Sequence, residues 1–431
     1  MKSASLLFVL FVFIAMAVAR DNKTKVDALV YPKVPPKTIT VGDETADIPG
    51  FTSDAIQVGI DALRANGGGT LRLTAGTFEI MRPVRIYSNM ALVGSGPETV
   101  LHKVDGRKTN FIIDADYGEL KVTVADPSGF VPGMGIQIFD ENNDSGWMVS
   151  TAVITAVEAN TLYFDNYLVS DYRADRNGVV SNACSVVEAV EAENVRFANF
   201  SVDGNKEKND FLNGCRGGAV YLHKVKNALV EDLVVRDFNG EGISWQITED
   251  VTVRNCKVSG CTNYGLHPGT GSPNTVIEGV DSHDNGRDGL FICWRVQHGI
   301  VRNSKFHHNG RFGICTGHKD TDMIFENNHI YENGEDGVHF RGERPSNAPH
   351  RNFFRYNIVE NNGTKNGGYG FSFNSPAKGV VLEDNIIRDT GKGTQKAGVY
   401  IYKNALPVIL KNNKMSGHKM GDVVFEEKKG R

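Results

Sequence analysis

Glycine residues recur at a fixed interval in the middle of this chain. In the stretches GRDGLFICWRVQHG, GRFGICTGHKDTD and GEDGVHFRGERP, the second glycine falls at positions 289, 313 and 337, a spacing of 24 residues. Further strand glycines extend the series to 218, 242, 265, 370 and 398. A repeat of this length built from short β segments is typical of a solenoid. The chain is therefore expected to wind into stacked turns, called rungs below.

Each rung contains strand and turn patterns without a helix. MIFENNHIYENGEDGVHF, residues 323–340, alternates short apolar segments with asparagine and glycine. The fixed leucine spacing of a leucine-rich repeat is absent. Asn285, Asn309 and Asn333 lie four residues before successive strand glycines, and an amide can bond to the same amide one rung away. These asparagines are therefore predicted to be structural ladders and not ligands.

The pattern divides the chain into six parts. TSDAIQVGIDALRANGGG, from residue 52, has helical apolar spacing and is stopped by three glycines, which predicts a helix near 52–66. Residues 108–183 are rich in strands but do not follow the period. The parts are a signal peptide (1–19), a lead-in segment (20–50), an N-terminal cap with the first rungs (51–107), a β-rich insertion (108–183), the β-helix repeats (184–420) and a C-terminal tail (421–431).

Composition and the N-terminus limit the classes of function. The formal charge of −4 and the lack of a long basic run argue against nucleic-acid binding. Residues 1–19 combine one lysine, an apolar run and a terminal Ala-Val-Ala, which is typical of a cleaved secretory signal. No later segment is long and apolar enough to span a membrane. The protein is expected to be a secreted or periplasmic monomer. Its six cysteines form no CxxC motif, and the sequence does not fix which of them pair in disulfides.

The helix followed by GGGTLRLTAGTF and then by rungs resembles the pectate-lyase-like superfamily of right-handed parallel β-helix proteins. The resemblance covers roughly residues 45–420. It implies an all-β, single-stranded right-handed parallel β-helix with an N-terminal capping helix and a β-rich insertion. It also implies that a substrate lies along the outward face of the first strand of each rung. The superfamily includes lyases, hydrolases, epimerases and phage tailspikes, so the resemblance leaves the reaction open.

Chemically active residues recur at outward positions of that first strand. With the strand glycine at position zero, position one is uniformly apolar, so positions two and four should face outward. Neighbouring rungs lie about 4.8 Å apart, so residues 24 apart in sequence become neighbours in space. The outward patch combines residues at positions two and four with residues at positions five and six, where the strand ends. Its members are His267, His339 and Arg341 from the first group and Trp294, Arg295, His318, Lys319 and Glu343 from the second.

The mixture of residue types in the patch favours β-elimination on an acidic polysaccharide. Abstraction of a proton beside a uronate carboxylate needs a neutral base and positive charge that offsets the developing charge. His318 is the first candidate base, and the other catalytic candidates are His267, His339, Lys319 and Glu343. The predicted substrate-binding residues are Arg295, Arg341, Trp294 and Asp320.

Three alternatives stay open at this point. A glycoside hydrolase would use two carboxylates from Asp288, Asp320, Asp336 and Glu343. A uronan epimerase is a lesser option, since His267-Pro268 matches the epimerase Asp-Pro-His motif only loosely. A non-catalytic glycan-binding protein would show more aromatic and fewer proton-transfer groups. The sequence establishes no cofactor; calcium is a candidate, with Asp320 and Asp322 as candidate ligands.

Overall fold

The computed structural model describes residues 31–427, and three long parallel sheets run side by side through them. Each complete rung contributes one strand to each sheet. The first sheet has eleven strands: Val84–Ile86, Val187–Val190, Val220–His223, Ile243–Gln246, Leu266–Gly269, Leu290–Phe291, Ile314–Thr316, Val338–Phe340, Gly368–Phe373, Gln395–Ile401 and Gly421–Phe425.

The second and third sheets complete every rung. The second sheet has thirteen strands: Thr38–Gly42, Ile48–Pro49, Gly69–Leu73, Met90–Val93, Glu193–Ala198, Lys226–Glu231, Glu249–Arg254, Val276–Glu278, Ile300–Arg302, Ile324–Glu326, Phe353–Arg355, Val381–Glu383 and Ile409–Lys411. The third sheet has eleven strands: Gly76–Ile80, Thr99–Lys103, Ser201–Asp203, Val234–Arg236, Lys257–Ser259, Asp281–His283, Lys305–His307, His329–Tyr331, Ile358–Glu360, Ile386–Arg388 and Lys414–Ser416.

Alternation along the first sheet separates a buried core from an outer face. Position one is fully buried at Leu290, Ile314 and Val338, which pair in register across three strands. Position three is buried as well, at Ile292 and Phe340. Because side chains alternate across a strand, positions two and four lie on the outer face. The predicted register is therefore the observed one.

Asparagine side chains form a continuous ladder inside the turn before the first sheet. The Nδ2 of Asn309 donates to the Oδ1 of Asn333 at 3.0 Å, and the Nδ2 of Asn333 donates to that of Asn362 at 2.9 Å. Each Nδ2 also donates to a backbone carbonyl, as Asn333 does to Phe306. The ladder supplies hydrogen-bond partners to buried backbone groups at this turn, where pairing between strands cannot supply them.

Removing one amide from this ladder should destabilise the protein. Asn333→Ala deletes the acceptor of Asn309 and the donor to Asn362, leaving buried polar groups unpaired. Each such group costs about 1–3 kcal/mol, so the unfolding midpoint in urea should fall clearly. Asn366→Ala, in an exposed loop, is the matched control and should leave the midpoint unchanged. Equal midpoints for the two variants would contradict a structural role for the ladder.

An α-helix, Ser53–Ala65, covers the N-terminal end of the solenoid. The Thr52 side chain caps the helix by accepting from the backbone N–H of Ala55 at 3.2 Å. Ile56, Ile60 and Leu63 are buried and belong to the main core. The helix therefore closes one end of the core cross-section, as the sequence predicts.

The insertion forms a separate antiparallel sheet with its own core. Its six strands are Lys108–Asn110, Lys121–Thr123, Gly135–Phe139, Ser150–Glu158, Thr161–Phe164 and Val179–Ser181. Short 3-10 helices lie within the insertion and elsewhere, at Gly146–Met148, Ala174–Arg176, Lys206–Lys208 and Pro345–Asn347. The insertion leaves and rejoins the solenoid at one point, because the N–H of Asn182 donates to the carbonyl of Arg107 at 3.0 Å.

The predicted fold class is confirmed, and strands are present in two of the predicted flanking segments. The lead-in segment contains the strands Thr38–Gly42 and Ile48–Pro49, and the C-terminal tail begins with Gly421–Phe425, which pairs with Gln395–Ile401. Both segments therefore extend the parallel sheets by backbone pairing. The predicted signal peptide, 1–19, lies outside the described residues. Between residues 31 and 427, no helix is long and apolar enough to cross a membrane, and all six cysteines are unpaired.

Candidate functional site

Acidic and aromatic residues alternate from rung to rung along the outer face of the first sheet. The residue before each strand glycine is acidic and aromatic in turn over six rungs: Glu241, Tyr264, Asp288, Phe312, Asp336 and Tyr369. Each aromatic member stacks on the position-two ring of the next rung, with centroids 4.1 Å apart for Tyr264 and Phe291 and 4.3 Å apart for Phe312 and His339. Acidic members meet polar groups instead, as where Ser372 Oγ donates to Asp336 at 2.5 Å.

A loop covers the N-terminal half of this face. Residues 209–217, called the covering loop, approach so closely that a Cβ on Gly214 would lie 2.6 Å from the His267 ring and 2.5 Å from the Glu241 carboxyl carbon. Ser244 Oγ also donates to the Gly214 carbonyl at 2.6 Å. Only glycine fits at 214 in this arrangement. The rungs of Ile243–Gln246 and Leu266–Gly269 are therefore closed to a polymer.

The covering loop corrects the prediction that His267 is catalytic. His267 is on the outer face, as its position predicts, but only 5% of it is exposed. Its Nδ1 lies 3.7 Å from the Glu241 carboxylate, and Glu241 also accepts from Asn263 at 2.8 Å. His267 and Glu241 therefore form a polar layer beneath the loop, out of reach of a bound polysaccharide.

The C-terminal half of the face, from Leu290–Phe291 onward, is open and contains His318. The His318 ring stacks on Trp294 with centroids 4.7 Å apart, and its Nδ1 lies 3.3 Å from a Glu343 carboxylate oxygen. Trp294 is 49% exposed. A carboxylate on Nδ1 favours the tautomer with the proton there, which leaves Nε2 with a free lone pair. His318 is thus oriented as a base on an accessible surface.

His339 is the second accessible histidine of the open half. Its Nδ1 lies 2.7 Å from the hydroxyl of Ser372 and 3.2 Å from the carboxylate of Asp336, and its ring rests on buried Phe312. Asp336 also accepts from the backbone N–H of Tyr369 at 2.9 Å. His339 is therefore fixed at Nδ1 by groups that are themselves held in the protein.

Arg341 is built into the sheet surface. Its Nη2 donates to the carbonyl of Ile292 at 2.9 Å and lies 3.5 Å from an Asp320 oxygen, while its Nη1 donates to the sulfur of Cys315 at 3.4 Å. Its guanidinium also lies over the ring of Phe291. These contacts clamp three successive rungs together. Only the remaining edge of the half-buried guanidinium can meet a substrate.

Asp320 does not occupy the position expected of a substrate-binding residue. Its side chain is fully buried and accepts from the backbone N–H groups of Gly317 at 2.9 Å and Val296 at 3.1 Å. Burial raises the pKa of Asp320, and Arg341 opposes that shift. This placement corrects the expectation that Asp320 contacts a polymer, because the turn after the strand folds the carboxylate inward.

The candidate calcium ligands do not fit a cation. Asp320 is engaged by backbone donors, and both carboxylate oxygens of Asp322 accept from Arg351 at 2.7 Å. An arginine on each carboxylate supplies the positive charge that a cation would otherwise provide. Across residues 31–427, no group of three or more His, Cys, Asp and Glu side chains is arranged to hold a metal ion.

Positive charge on the open half is partly compensated within the protein. Arg341, His318 and His339 each have a carboxylate within 3.5 Å, which reduces repulsion among these basic groups. Arg295 and Lys319 differ, because no carboxylate of the described chain lies within 4.0 Å of either one. These two cations flank His318 and remain available to an anionic ligand.

Asp288 is fully buried, with an Arg311 nitrogen 4.0 Å away. Burial raises its pKa to about 6, and Arg311 opposes the shift; an exposed aspartate titrates near ~3.9. The folded protein therefore binds this proton more tightly than the unfolded chain does. The stability contributed by neutral Asp288 is present below about pH 4 and is lost as the pH rises through about 6.

Asp288→Asn should remove that part of the pH dependence. The variant keeps an oxygen acceptor for the backbone N–H of Phe312, which Asp288 now accepts at 3.3 Å. Its urea midpoint should exceed that of the wild type near neutral pH and should change less between about pH 4 and pH 6. Asp144→Asn, at an exposed position, is the control. A wild-type pH slope retained by Asp288→Asn would contradict the assignment.

Sequence reasoning missed the residues that close the N-terminal half. Trp147, from the insertion, lies over His223 with ring centroids 5.4 Å apart, and Arg216 of the covering loop lies over Trp147. Burial, aided by Lys224 and Arg216, lowers the pKa of His223 to about 4. Trp147 and Arg216 lie outside the repeated strands, so spacing could not identify them, whereas His223 pairs in register with Gln246 of the next rung. Glu241 could have been found, since it shares the position of Asp288 and Asp336.

Comparison with known proteins agrees with this architecture. Residues 200–354 match the sequence model of a family described as "Right handed beta helix region". The chain is a right-handed parallel β-helix. The β-helix resembles a hyperthermoactive exopolygalacturonase from Thermotoga maritima with a TM-score of 0.56 and 14% identity, covering 96% of this chain and 95% of that one. The resemblance to the pectate-lyase-like superfamily is thereby confirmed at the level of the fold.

Two further solved structures share the β-helix. The polygalacturonase from Erwinia carotovora gives a TM-score of 0.54 at 14% identity, over 93% of this chain and 99% of that one. The A-module of the mannuronan C-5 epimerase AlgE4 from Azotobacter vinelandii gives 0.54 at 15% identity, over 86% and 93%. A search of curated proteins finds no match. Identities this low establish the fold alone.

Proposed function

We propose that the β-helix is an enzyme that acts on an extended acidic polysaccharide by β-elimination. The observation that carries the proposal is His318, held between Glu343 and exposed Trp294 and flanked by the uncompensated cations Arg295 and Lys319. The named neighbours include two polygalacturonases and a mannuronan epimerase, which supports a uronan as the substrate class.

The proposed reaction gives each of these groups a role. Arg295 and Lys319 would bind the uronate carboxylate and offset the charge that develops on it. Nε2 of His318 takes the C5 proton, the C5–H electrons form the C4–C5 double bond, and the C4–O4 bond breaks. Water on the open face protonates the departing O4. Glu343 orients His318 and stabilises the imidazolium that forms.

The carboxylates support hydrolysis less well. A hydrolase needs two carboxyl groups that reach the scissile bond. Of the four candidates, Asp288 and Asp320 are fully buried and Asp336 is 6% exposed, so only Glu343 is accessible. An epimerase would share the first step, proton removal at C5, and would return the proton to the other face of the sugar. Elimination is therefore preferred, with epimerisation as the second candidate.

Aromatic side chains extend the binding surface beyond His339. Tyr369 stacks on Tyr400 with centroids 4.2 Å apart, and Tyr400 meets Tyr402 at 4.9 Å. Beside them, a depression of about 400 Å³ is lined by Glu343, Arg344, Asn347, Asn374 and Asn404, together with Gly342. Amide and charged side chains can hydrogen-bond to the polar edges of a polysaccharide, and the aromatic rings can stack on the apolar faces of its sugars.

One panel assay tests the proposed function. The protein is incubated with polygalacturonate, polymannuronate, hyaluronan and neutral xylan. Ultraviolet absorbance of unsaturated products and reducing ends are then followed together, and exchange of solvent deuterium into the polymer is measured by NMR. Elimination predicts absorbance and reducing ends on an acidic polymer. Reducing ends without absorbance would select hydrolysis, deuterium without cleavage would select epimerisation, and binding alone would select a glycan-binding protein.

Replacing Trp294 should weaken substrate binding more than turnover. Trp294→Ala removes an exposed ring worth about 0.5–1.5 kcal/mol in stacking, so KM should rise roughly two- to tenfold. Trp294→Phe keeps a ring against His318 and should stay within about twofold of wild type. Steady-state kinetics on the polymer found by the panel measures both variants. An unchanged KM in Trp294→Ala would contradict the proposal that Trp294 stacks on a sugar of the substrate.

A further inference from the structure

The outer face of the first sheet is accessible from one end only. The covering loop closes the rungs of Ile243–Gln246 and Leu266–Gly269, whereas Trp294 on the next rung is half exposed. Within residues 31–427, no comparable cover lies over His318 or His339, whose side chains are 19% and 16% exposed. The binding surface therefore begins abruptly at the edge of the loop and continues toward the C-terminal rungs.

The closed end is a built structure with several layers. The Arg216 guanidinium lies 5.1 Å from the Trp147 ring centre and donates to the Trp147 carbonyl. The hydroxyl of Tyr221, on the outer face, donates to the carbonyl of Cys215 at 2.6 Å. We call the covering loop together with Trp147 the wall. Its contacts anchor it both to the sheet beneath and to the insertion above.

The insertion holds the wall in place. Nε2 of Gln137 donates to the Phe211 carbonyl of the covering loop at 2.9 Å. The turn that carries Trp147 is fixed by the buried hydroxyl of Tyr172, which donates to the carbonyl of Met148 at 2.6 Å and lies 2.7 Å from Ser150 Oγ. The insertion has its own core, so it can act as a rigid support.

We infer that the wall makes the enzyme act on chain ends. This inference rests on the proposed function and adds the mode of attack. A polymer lying along the open half would meet the wall with one terminus, because its path over the covered rungs is blocked. His318 lies two rungs beyond the last covered strand, about 10 Å at about 4.8 Å per rung. Since a sugar residue is about as long as a rung, each cut should release about two residues.

The first test follows product sizes during cleavage of polygalacturonate and of polymannuronate. The expected result is short oligosaccharides, centred on disaccharides, from the earliest time points, while the remaining polymer keeps most of its length and viscosity. Products of intermediate length at the first time points would overturn the inference and leave the proposed function intact. Absence of any cleavage or proton exchange would instead count against the proposed function.

Two variants test the wall itself. In one, residues 108–181 are replaced by a short Gly-Ser linker, which is feasible because Arg107 and Asn182 are hydrogen-bonded. In the other, Trp147→Ala is combined with Arg216→Ala, which needs no refolding of the insertion. For each bond broken, both variants should lower the viscosity of the polymer solution several-fold more than the wild type does. Tyr167→Ala, an exposed insertion residue, is the control and should behave as wild type; identical behaviour of all three variants would overturn the role of the wall.

A binding measurement decides the question without turnover. Calorimetry with His318→Ala and size-fractionated polygalacturonate counts protein molecules bound per polymer chain. A site closed at one end predicts one protein per chain whatever the length. A number that grows with chain length would overturn chain-end recognition. No binding to polygalacturonate, polymannuronate or hyaluronan would overturn both the inference and the proposed function.

Discussion

His318→Ala is expected to lower kcat by about 10²–10⁴-fold, the range typical for loss of a general base. The ring is held by Glu343 at 3.3 Å and by Trp294 at 4.7 Å, so the substitution removes a positioned proton acceptor. KM should change little, because Arg295 and Lys319 remain to bind the uronate. Steady-state kinetics on the acidic polymer selected by the panel, with absorbance as the signal, checks the result.

Two other histidines give the matched comparisons. His329 lies on the third sheet, 2.8 Å from Glu360 and away from the open half, so His329→Ala should leave kcat unchanged. His339 faces the open half but is fixed by Ser372 and Asp336, and His339→Ala should cost less than tenfold. A loss confined to His339→Ala would transfer the role of base to that residue. Near-normal turnover in all three variants would place the site elsewhere.

The fold could be predicted because solenoid geometry is local and repeated. Each rung that has a strand glycine places an apolar residue directly after it, as at Leu290, Ile314 and Val338, and the structure buries all three. The same repetition identifies which residues are neighbours across rungs, since 24 residues separate Trp294 from His318. Asn309 and Asn333 were also assigned correctly, because a ladder requires only one amide at one position per turn.

The accessibility of the site could not be predicted in the same way. His267 shares position two with His339, and the period alone treats them alike. The covering loop and Trp147 bury His267, and their positions depend on contacts between distant parts of the chain, such as Gln137 with Phe211. A period describes what a rung presents on its surface, but it does not describe what another segment lays over that surface.

The buried acidic residues show a second limit to predicting function from a residue's position in the repeat. From the sequence, Asp288 and Asp336 are candidate catalytic carboxylates, because acids near a groove suit acid–base chemistry. The structure shows Asp288 accepting from Phe312 N–H, and Asp336 accepting from Ser372 and Tyr369. Their regular position before the strand glycine, alternating with aromatic residues, reflects packing between rungs. Periodicity in a solenoid therefore indicates structure first, and departures from it are better guides to function.

Val338→Asp should destabilise the protein more than any surface change. Val338 is fully buried and pairs with Ile314 on one side and Phe371 on the other. A carboxylate there has no partner in an apolar core, and breaking such packing with an unpaired buried charge costs about 3–5 kcal/mol. Because each rung is stabilised mainly by its neighbours, the loss should spread and lower the unfolding temperature by many degrees.

Three comparisons make this result specific to register. Val338→Ala leaves only a cavity and should cost less than the charged variant. Arg344→Ala, exposed on the same rung, should stay within about 0.5 kcal/mol of wild type. The penalty of Val338→Asp should shrink as the pH falls, because a buried carboxyl group is protonated more readily than an exposed one. Calorimetry and urea titration at neutral and mildly acidic pH measure all three, and equal shifts for Val338→Asp and Arg344→Ala would show that position one does not face the core.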